Sequence, residues 1–269
     1  VVDLHALFWA AVAAVTLATL VWLISLWKRD VSIVDSIWSI MMLLATVVYI
    51  STTSELGPRG LLLLLLVFAW AVRLSAYITW RNWGTGEDQR YTVIRKNNEP
   101  FFELKSYFII FLFQAALAMV VVLPVLAGVS GSSPVTGLDY LGAGIVLAGI
   151  LFESIADQQM ARFKSAKENN GQVMDGGLWR YSRHPNYFGE FCIWWGFYII
   201  SVSAGAWWTV VSPLIMTFLL LKFSGVALLE KTISERRPAY REYVQRTSTF
   251  FPWFPRSNSA TSKQEEIVR

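Results

Sequence analysis

Residues 176–196 read GGLWRYSRHPNYFGEFCIWWG. The stretch passes without a linker from a polar segment carrying Arg180, Arg183, His184, Asn186 and Glu190 into an apolar aromatic run. Pro185 fixes φ and lacks an N–H, so it suits the first turn of a helix beginning near Asn186. The open N–H groups at that helix start would lie beside Arg183 and His184, a place for an anion such as a phosphate. A basic cluster that only holds lipid headgroups needs positive charge and nothing more. It has no need of Asn186 and Glu190 at the start of a membrane helix, where both are costly unless used.

The surrounding composition sets the class. Apolar residues make up 55% of 269 positions, 16% are charged, and 13 are Trp. This is the composition of an all-α integral membrane protein with several spans, not of a soluble domain. The run from Leu4 to Trp27 is too long for a signal-peptide core and reads as a retained membrane helix. The single cysteine, Cys192, falls in an apolar segment, so disulfides do not hold this fold.

Seven segments are each long and apolar enough to span about 30 Å of hydrocarbon. They are Leu4–Trp27, Val31–Ser51, Leu61–Trp80, Tyr107–Ala127, Leu138–Ala156, Phe188–Ala204 and Ala206–Val226. Lys and Arg alternate between connections. The third carries Arg81, Arg90, Arg95 and Lys96, and the fourth, GVSGSSPVTG, has no charge. The fifth is again basic, with Arg162, Lys164, Lys167, Arg180 and Arg183, as is the segment after Val226. Such alternation predicts an outside N-terminus and a cytoplasmic C-terminus. Residues 1–256 then form one membrane domain, and the polar residues 257–269 a disordered tail.

Several chemistries are excluded. No CxxC, HExxH or GxGxxG spacing occurs, so no metal site and no Rossmann fingerprint is expected. The two histidines, His5 and His184, are expected on opposite sides of the membrane. Basic residues decorate membrane loops rather than one soluble face, so nucleic acid is not an expected partner. No protein partner is indicated. The loop NWGTGEDQRY, Asn82 to Tyr91, reads as a turn built on two glycines.

Polar residues inside the apolar segments carry the functional signal. Asp35 lies about one turn inside the second segment, and Arg73, Tyr77 and Arg81 share one face of the third at the same depth. Glu153 and Asp157 repeat the i, i+4 spacing where the fifth segment ends, and Glu190 opens the sixth. A lone charge at such depth costs about 2.5–3.5 kcal/mol, so each needs a partner or a wet cavity. Ion pairs that fix helix register, Asp35 with Arg73 for instance, would satisfy them. So would a polar pocket open to the cytoplasm, which explains their convergence from four segments. Towards the C-terminus, LLEKTISERRPAYREY adds Glu230, Arg236, Arg237, Tyr240 and Tyr243. Helical spacing puts Arg236, Tyr240 and Tyr243 on one side, facing either that pocket or the membrane surface.

At these residues a resemblance emerges. DGGLWRYSRHPNYFGE, the Asp157–Arg162–Lys164 group and EKTISERRPAYREY resemble the steroid 5α-reductase family, closest to its bacterial seven-helix members. The likeness is concentrated from about Gly144 to Pro255, with weaker matches at SIVDSIW and RLSAYITWRNW. It implies NADPH bound by the C-terminal half and a lipophilic enone, such as a 3-oxo-Δ4 steroid, enclosed by the N-terminal helices. Cofactor contacts are then implied for Arg81, Asp157, Arg162, Lys164, Arg180, Tyr181, Arg183, His184, Asn186 and Glu190. Glu230, Arg236, Arg237, Tyr240 and Tyr243 would add contacts from the tail. The acid and tyrosine that hold the substrate ketone would fall on Asp35 and Tyr77, with Trp38 and Arg73 beside the substrate. The animal enzymes have a glutamate in place of Asp35 and a different tail in place of KTISERRPAY.

The RHPxYxG signature is shared with isoprenylcysteine carboxyl methyltransferases, which use S-adenosylmethionine. Those enzymes carry a paired Glu-Glu and an FGxEYxxY tail. This chain has a single Glu230 and RRP in place of FG. A lipid-binding membrane protein without catalysis is the third class the sequence admits. Under the reductase resemblance, the barrier falls when a donor polarises the enone carbonyl as enolate charge gathers there, a role a Tyr hydroxyl beside a carboxyl group can fill. The cofactor supplies the hydride, and the arginines suit its phosphates.

Overall fold

The computed structural model of the chain describes residues 2–53, 56–130, 133–223 and 239–256. The expected tail 257–269 and Glu230, Arg236 and Arg237 lie outside the described residues. Among the described residues there is no strand; the secondary structure is helical throughout.

Five helices are long and apolar enough to cross a membrane: α1 (Leu4–Lys28), α2 (Ile33–Thr52), α3 (Pro58–Asn82), α5 (Phe102–Val121) and α7 (Gly137–Ser165). Between α3 and α5 lies the polar helix α4 (Gln89–Asn97). The buried helix α6 (Leu123–Val129) follows α5. The chain is therefore an all-α membrane protein with five candidate spans. The sixth expected segment is α8 (Pro185–Ser203), whose polar opening leaves it outside those five. The seventh appears as α9 (Trp207–Lys222), a shorter apolar helix. Helix α10 (Ala239–Arg246) is short and polar.

One boundary differs from the hydropathy reading. The fourth segment was expected to run unbroken to Ala127, but α5 ends at Val121 and α6 restarts at Leu123. Pro124 is the cause: it has no N–H to continue the i→i−4 ladder, and it sits instead in the first turn of the new helix. Within α5, residues Tyr107–Leu112 form a π-helical turn.

The chain divides into two compact units, Val1–Gly144 with Trp195–Pro213, and Ile145–Trp194 with Leu214–Arg269. In the first, α1 packs on α2 through a stripe of small residues. Ala6, Ala10, Ala14 and Ala18 recur every four residues and are fully buried, so two backbones can approach closely. Phe8, Leu20, Leu23 and Ile24 point outward as a lipid-facing surface does. Asp3 caps α1 by accepting from the N–H groups of His5 and Ala6 at 2.8 and 3.1 Å. Ser39 of α2 donates to the Ala71 carbonyl of α3 at 2.9 Å, and the Trp38 indole to the Gln114 carbonyl of α5 at 3.2 Å.

By the hydropathy segments, Arg59 falls in the connection between Ser51 and Leu61. It is buried in the first turn of α3, donating to Oδ1 of Asp139 at 2.7 Å and to the carbonyls of Ser133 and Pro134. Ser203 at the end of α8 donates to Asp139 at 2.6 Å and accepts from Arg59 at 3.0 Å. Every polar group in this knot has a partner, as burial requires.

In the second unit, α7 and α8 meet at a glycine contact. A Cβ on Gly149 would lie 2.7 Å from the Gly189 carbonyl oxygen, and one on Gly189 would lie 2.8 Å from that of Gly149. Further along, Phe188 and Phe191 pack against Phe250 and Leu220.

Candidate functional site

Two polar constellations stand out, one in each unit. In the second unit, α8 begins at Pro185, as the sequence predicts, and the RYSRHP segment before it is built as a fixed turn. Gly177 has φ 57, a conformation suited to glycine, and a single 3₁₀ turn, Gly177–Arg180, follows. Gln159 of α7 accepts from the Leu178 N–H at 2.9 Å, and the Trp179 indole donates to the Ala156 carbonyl at 3.0 Å. The turn is thereby stapled to the end of α7.

Its other side is held by the C-terminal segment. The Arg183 guanidinium donates to the Val244 carbonyl at 2.8 Å and to Oγ1 of Thr249 at 2.6 Å, while its N–H donates to the Ser248 carbonyl at 2.9 Å. Ser182 donates to the Phe250 carbonyl at 2.8 Å. In return the Tyr243 hydroxyl donates to the Trp179 carbonyl at 2.5 Å and, more weakly, to that of Ser182 at 3.3 Å. Burial, reinforced by the neighbouring Tyr240 ring, pushes the Tyr243 phenol above its usual pKa. Arg246 pairs with Asp175. Arg183, expected to contact the cofactor, is 7% exposed and acts as a bracket for the tail.

The remaining expected residues divide by exposure. Asp157, His184 and Glu190 are buried. Asn186 reaches Oδ1 of Asp157 at 3.4 Å, His184 stacks on Tyr187 at 5.5 Å, and Glu190 accepts from the Trp194 indole at 2.9 Å. Arg162, Lys164, Arg180 and Tyr181 are exposed, and Tyr240 is buried with its ring 5.6 Å from that of Tyr243. This unit therefore carries exposed cations at Arg162, Lys164 and Arg180 and, at the start of α8, the Asn186 amide beside the Asp157 carboxylate. An anionic, hydrogen-bonding ligand fits that set.

In the first unit, Asp35 sits in the first turn of α2. Its Oδ1 accepts from the Tyr91 hydroxyl at 2.5 Å and its Oδ2 from Arg90 at 2.7 Å. Both donors come from α4, which opens on Asp88 as its cap. Asp88 accepts from the N–H and the guanidinium of Arg90, at 2.9 and 3.0 Å. Burial, together with the Asp35 charge and hydrogen bond, pushes the Tyr91 phenol up. Burial opposes the Arg90 charge, but Asp88 and Asp35 outweigh it and hold the guanidinium protonated. Glu87 anchors the loop: it accepts from the Val31 N–H at 2.9 Å and takes two bonds from Arg95, at 2.8 and 3.0 Å. Burial alone would raise its pKa, but those bonds bring it below the usual carboxylate value.

The partner expected for Asp35 was Tyr77, or Arg73 in the ion-pair reading; the tyrosine and the arginine on it are Tyr91 and Arg90. Tyr77 lies between two guanidiniums of its own helix, Arg73 at 5.6 Å and Arg81 at 5.8 Å from the ring centre. In the sequence, Gly84 and Gly86 mark a turn and mask the helix α4 that follows it. Both do carry positive φ, 75 and 73. The missed signal was Asp88 before QRYTVIRKN, an N-cap followed by a helical run.

A similar sequence is the "Uncharacterized protein C594.04c" of Schizosaccharomyces pombe, 27% identical over 267 residues and covering 88% of this chain and 76% of that protein. No solved structure matches the chain. Residues 21–247, which include Asp35, Arg90, Tyr91, Asp157 and Asn186, match the family described as "Protein of unknown function (DUF1295)", and the chain belongs to that family.

Proposed function

We propose that this protein is an NADPH-dependent reductase of the C=C bond of a lipophilic enone, a 3-oxo-Δ4 steroid being the first candidate. The observation that carries the reading is the Tyr91–Asp35–Arg90 cluster, a phenol on a carboxylate at the end of an apolar helix. Reduction of an enone needs a donor where enolate charge gathers, and a phenol oriented by an acid is such a donor. In the ground state the phenol hydrogen points at Asp35. When Asp35 takes up a proton, its O–H can donate to the phenol oxygen, which frees the phenol hydrogen for a carbonyl. Hydride addition at the β-carbon would leave an enolate held by the phenol, and the α-carbon would then take one proton from solvent, so each turnover consumes one hydride and one proton. Bound NADPH would supply the hydride to the β-carbon.

Support for the cofactor comes from the second unit. Exposed Arg162, Lys164 and Arg180 suit phosphates, the start of α8 suits an anion, and Asn186 and Asp157 offer polar contacts. Arg183 and Tyr243 hold the tail that frames this surface rather than the ligand itself. The wider reading has seven spans, with α8 and α9 as the last two and the C-terminus in the cytoplasm of a bacterial cell. A reporter fused after Arg269 tests that orientation.

The decisive experiment compares thermal stabilisation of the purified protein by NADPH and by S-adenosylmethionine, then follows NADPH-dependent loss of enone absorbance with testosterone and progesterone. Stabilisation by NADPH with enone turnover is the expected result. Stabilisation by S-adenosylmethionine alone would replace the reductase with a membrane methyltransferase.

A further inference from the structure

We propose that the pocket between the end of α1 and the start of α5 binds the phosphoethanolamine headgroup of a membrane phospholipid. The pocket has a volume of about 530 Å³, and its lining includes Ser25, Arg29, Arg95, Phe102, Glu103 and Ser106. Helix α1 ends there and α5 begins there, both of them candidate membrane spans, so the pocket lies at the depth where headgroups sit.

Backbone strain marks the same place. Among the described residues, two that are not glycine have left-handed backbones, Arg29 with φ 54 and Phe101 with φ 65. Arg29 lines the pocket and Phe101 precedes its wall residue Phe102. Arg29 closes α1, its N–H donating to the Ser25 carbonyl, at a position where glycine is the usual occupant. An arginine kept in that conformation points to a use for its side chain.

The charges then select the ligand. Arg95 is committed to Glu87 and lies 4.4 Å over the Phe102 ring. Arg29 is exposed, and among the described residues no carboxylate pairs with it, so it is the cation left for a phosphate. Glu103 is 66% exposed, with Arg95 3.8 Å away. The Ser25 and Ser106 hydroxyls are buried and donate to the Trp22 and Glu103 carbonyls, both at 2.7 Å, so neither supplies a donor to a phosphate. The pocket thus offers one guanidinium, Arg29, for a phosphate and one exposed carboxylate, Glu103, for an ammonium. A purely anionic headgroup would meet Glu103 unfavourably. Exposed Trp27, Phe101 and Leu104 leave an apolar rim for the acyl chains.

The test uses the full chain in detergent, with thermal stability and native mass spectrometry as readouts. The probes are phosphatidylethanolamine, phosphatidylglycerol and free phosphoethanolamine. Phosphatidylethanolamine should stabilise most, and Glu103→Gln should abolish its advantage over phosphatidylglycerol. Arg29→Gly should weaken it about tenfold, as expected for losing one charge-assisted contact. That variant relieves the left-handed strain, so its lipid-free melting temperature should not fall, and lost binding cannot be put down to misfolding. Equal stabilisation by the two lipids, or undiminished binding in Arg29→Gly, overturns the proposal. Free phosphoethanolamine acting as strongly as the lipid overturns the lipid as its source.

Discussion

The Tyr91 hydroxyl and the Asp35 carboxylate meet at 2.5 Å, and Arg90, one residue earlier, holds the other carboxylate oxygen at 2.7 Å. Two neighbouring residues of α4 thus close on a single acid of α2. If the acid and the phenol hold an enone carbonyl, Tyr91→Phe keeps the ring and loses the donor. We expect a fall of about 10²–10³ in kcat, the range for deleting an oxyanion-hole donor, with NADPH affinity nearly unchanged. Tyr77→Phe, whose ring serves two arginines through its face, should cost far less. Steady-state kinetics on both variants decide it, and the reverse order would return the role to Tyr77. Asp35→Asn should keep more activity than Asp35→Ala, because an amide can still donate.

Arg183 predicts a structural phenotype. Its guanidinium binds a carbonyl and a hydroxyl of the C-terminal segment while buried. Arg183→Ala should cost about 1.5–3 kcal/mol and expose the segment around residues 244–250 to protease. Thr249→Val should do the same to a smaller degree. Arg180→Ala, at an exposed cation, should leave protection intact and weaken NADPH binding instead. Limited proteolysis beside a cofactor titration separates the two arginines.

Much of this was legible in the sequence, and the rest failed for identifiable reasons. Hydropathy placed the five long helices because lipid-facing surfaces must be apolar, and Pro185 marked the start of α8 because few other positions tolerate it. Hydropathy cannot see a proline break inside an apolar run, so Pro124 was missed. It also counts charges without partners. Arg59 looked like a loop residue because its acid lies 80 positions away, at Asp139. The i, i+4 logic that grouped Arg73, Tyr77 and Arg81 was sound for one helix and silent about α4 folding back onto Asp35.

That distant pair gives the next prediction. Arg59 and Asp139 are buried at 1% and 0% exposure, so removing either leaves the other uncompensated. Asp139→Leu and Arg59→Met should each destabilise by about 3–5 kcal/mol. The double variant Arg59→Met with Asp139→Leu should cost much less than the sum, because no charge is left stranded. Thermal or chemical denaturation across the cycle measures the coupling. Additive losses would mean that the pair stabilises only by packing.

The Tyr243 phenol carries a pH signature. Its pKa in the folded protein is raised, so the neutral form is the one the fold retains. Its contribution is complete below the unfolded value of about 10 and is lost as pH climbs from there towards the folded value. The tail should therefore loosen selectively in alkali. Tyr243→Phe leaves the Trp179 and Ser182 carbonyls without that donor, at about 1–3 kcal/mol, and should flatten the loss. Melting temperatures of both proteins from pH 8 to 11 test the sign: the wild type must lose more than the variant as pH rises.

Gly189 and Gly144 are both helix glycines, and a methyl group added to each should act in opposite directions. At Gly189 the new carbon would lie 2.8 Å from the Glu153 nitrogen and 2.8 Å from the Gly149 carbonyl oxygen. Both are backbone atoms that cannot swing aside, so α7 and α8 must separate. Gly189→Ala should cost about 1–3 kcal/mol, the usual price of overpacking. It would also displace its neighbour Glu190, whose carboxylate holds the Trp194 indole. At Gly144, in α7, nothing lies within 4 Å of the added carbon. Gly144→Ala should therefore only remove backbone freedom from the unfolded chain, and raise stability by about 0.4–1 kcal/mol. Melting curves of the two single variants suffice. A stable Gly189→Ala would show that α7 and α8 do not pack glycine against glycine, and the placement of Asn186 and Asp157 beside each other would fall with that contact.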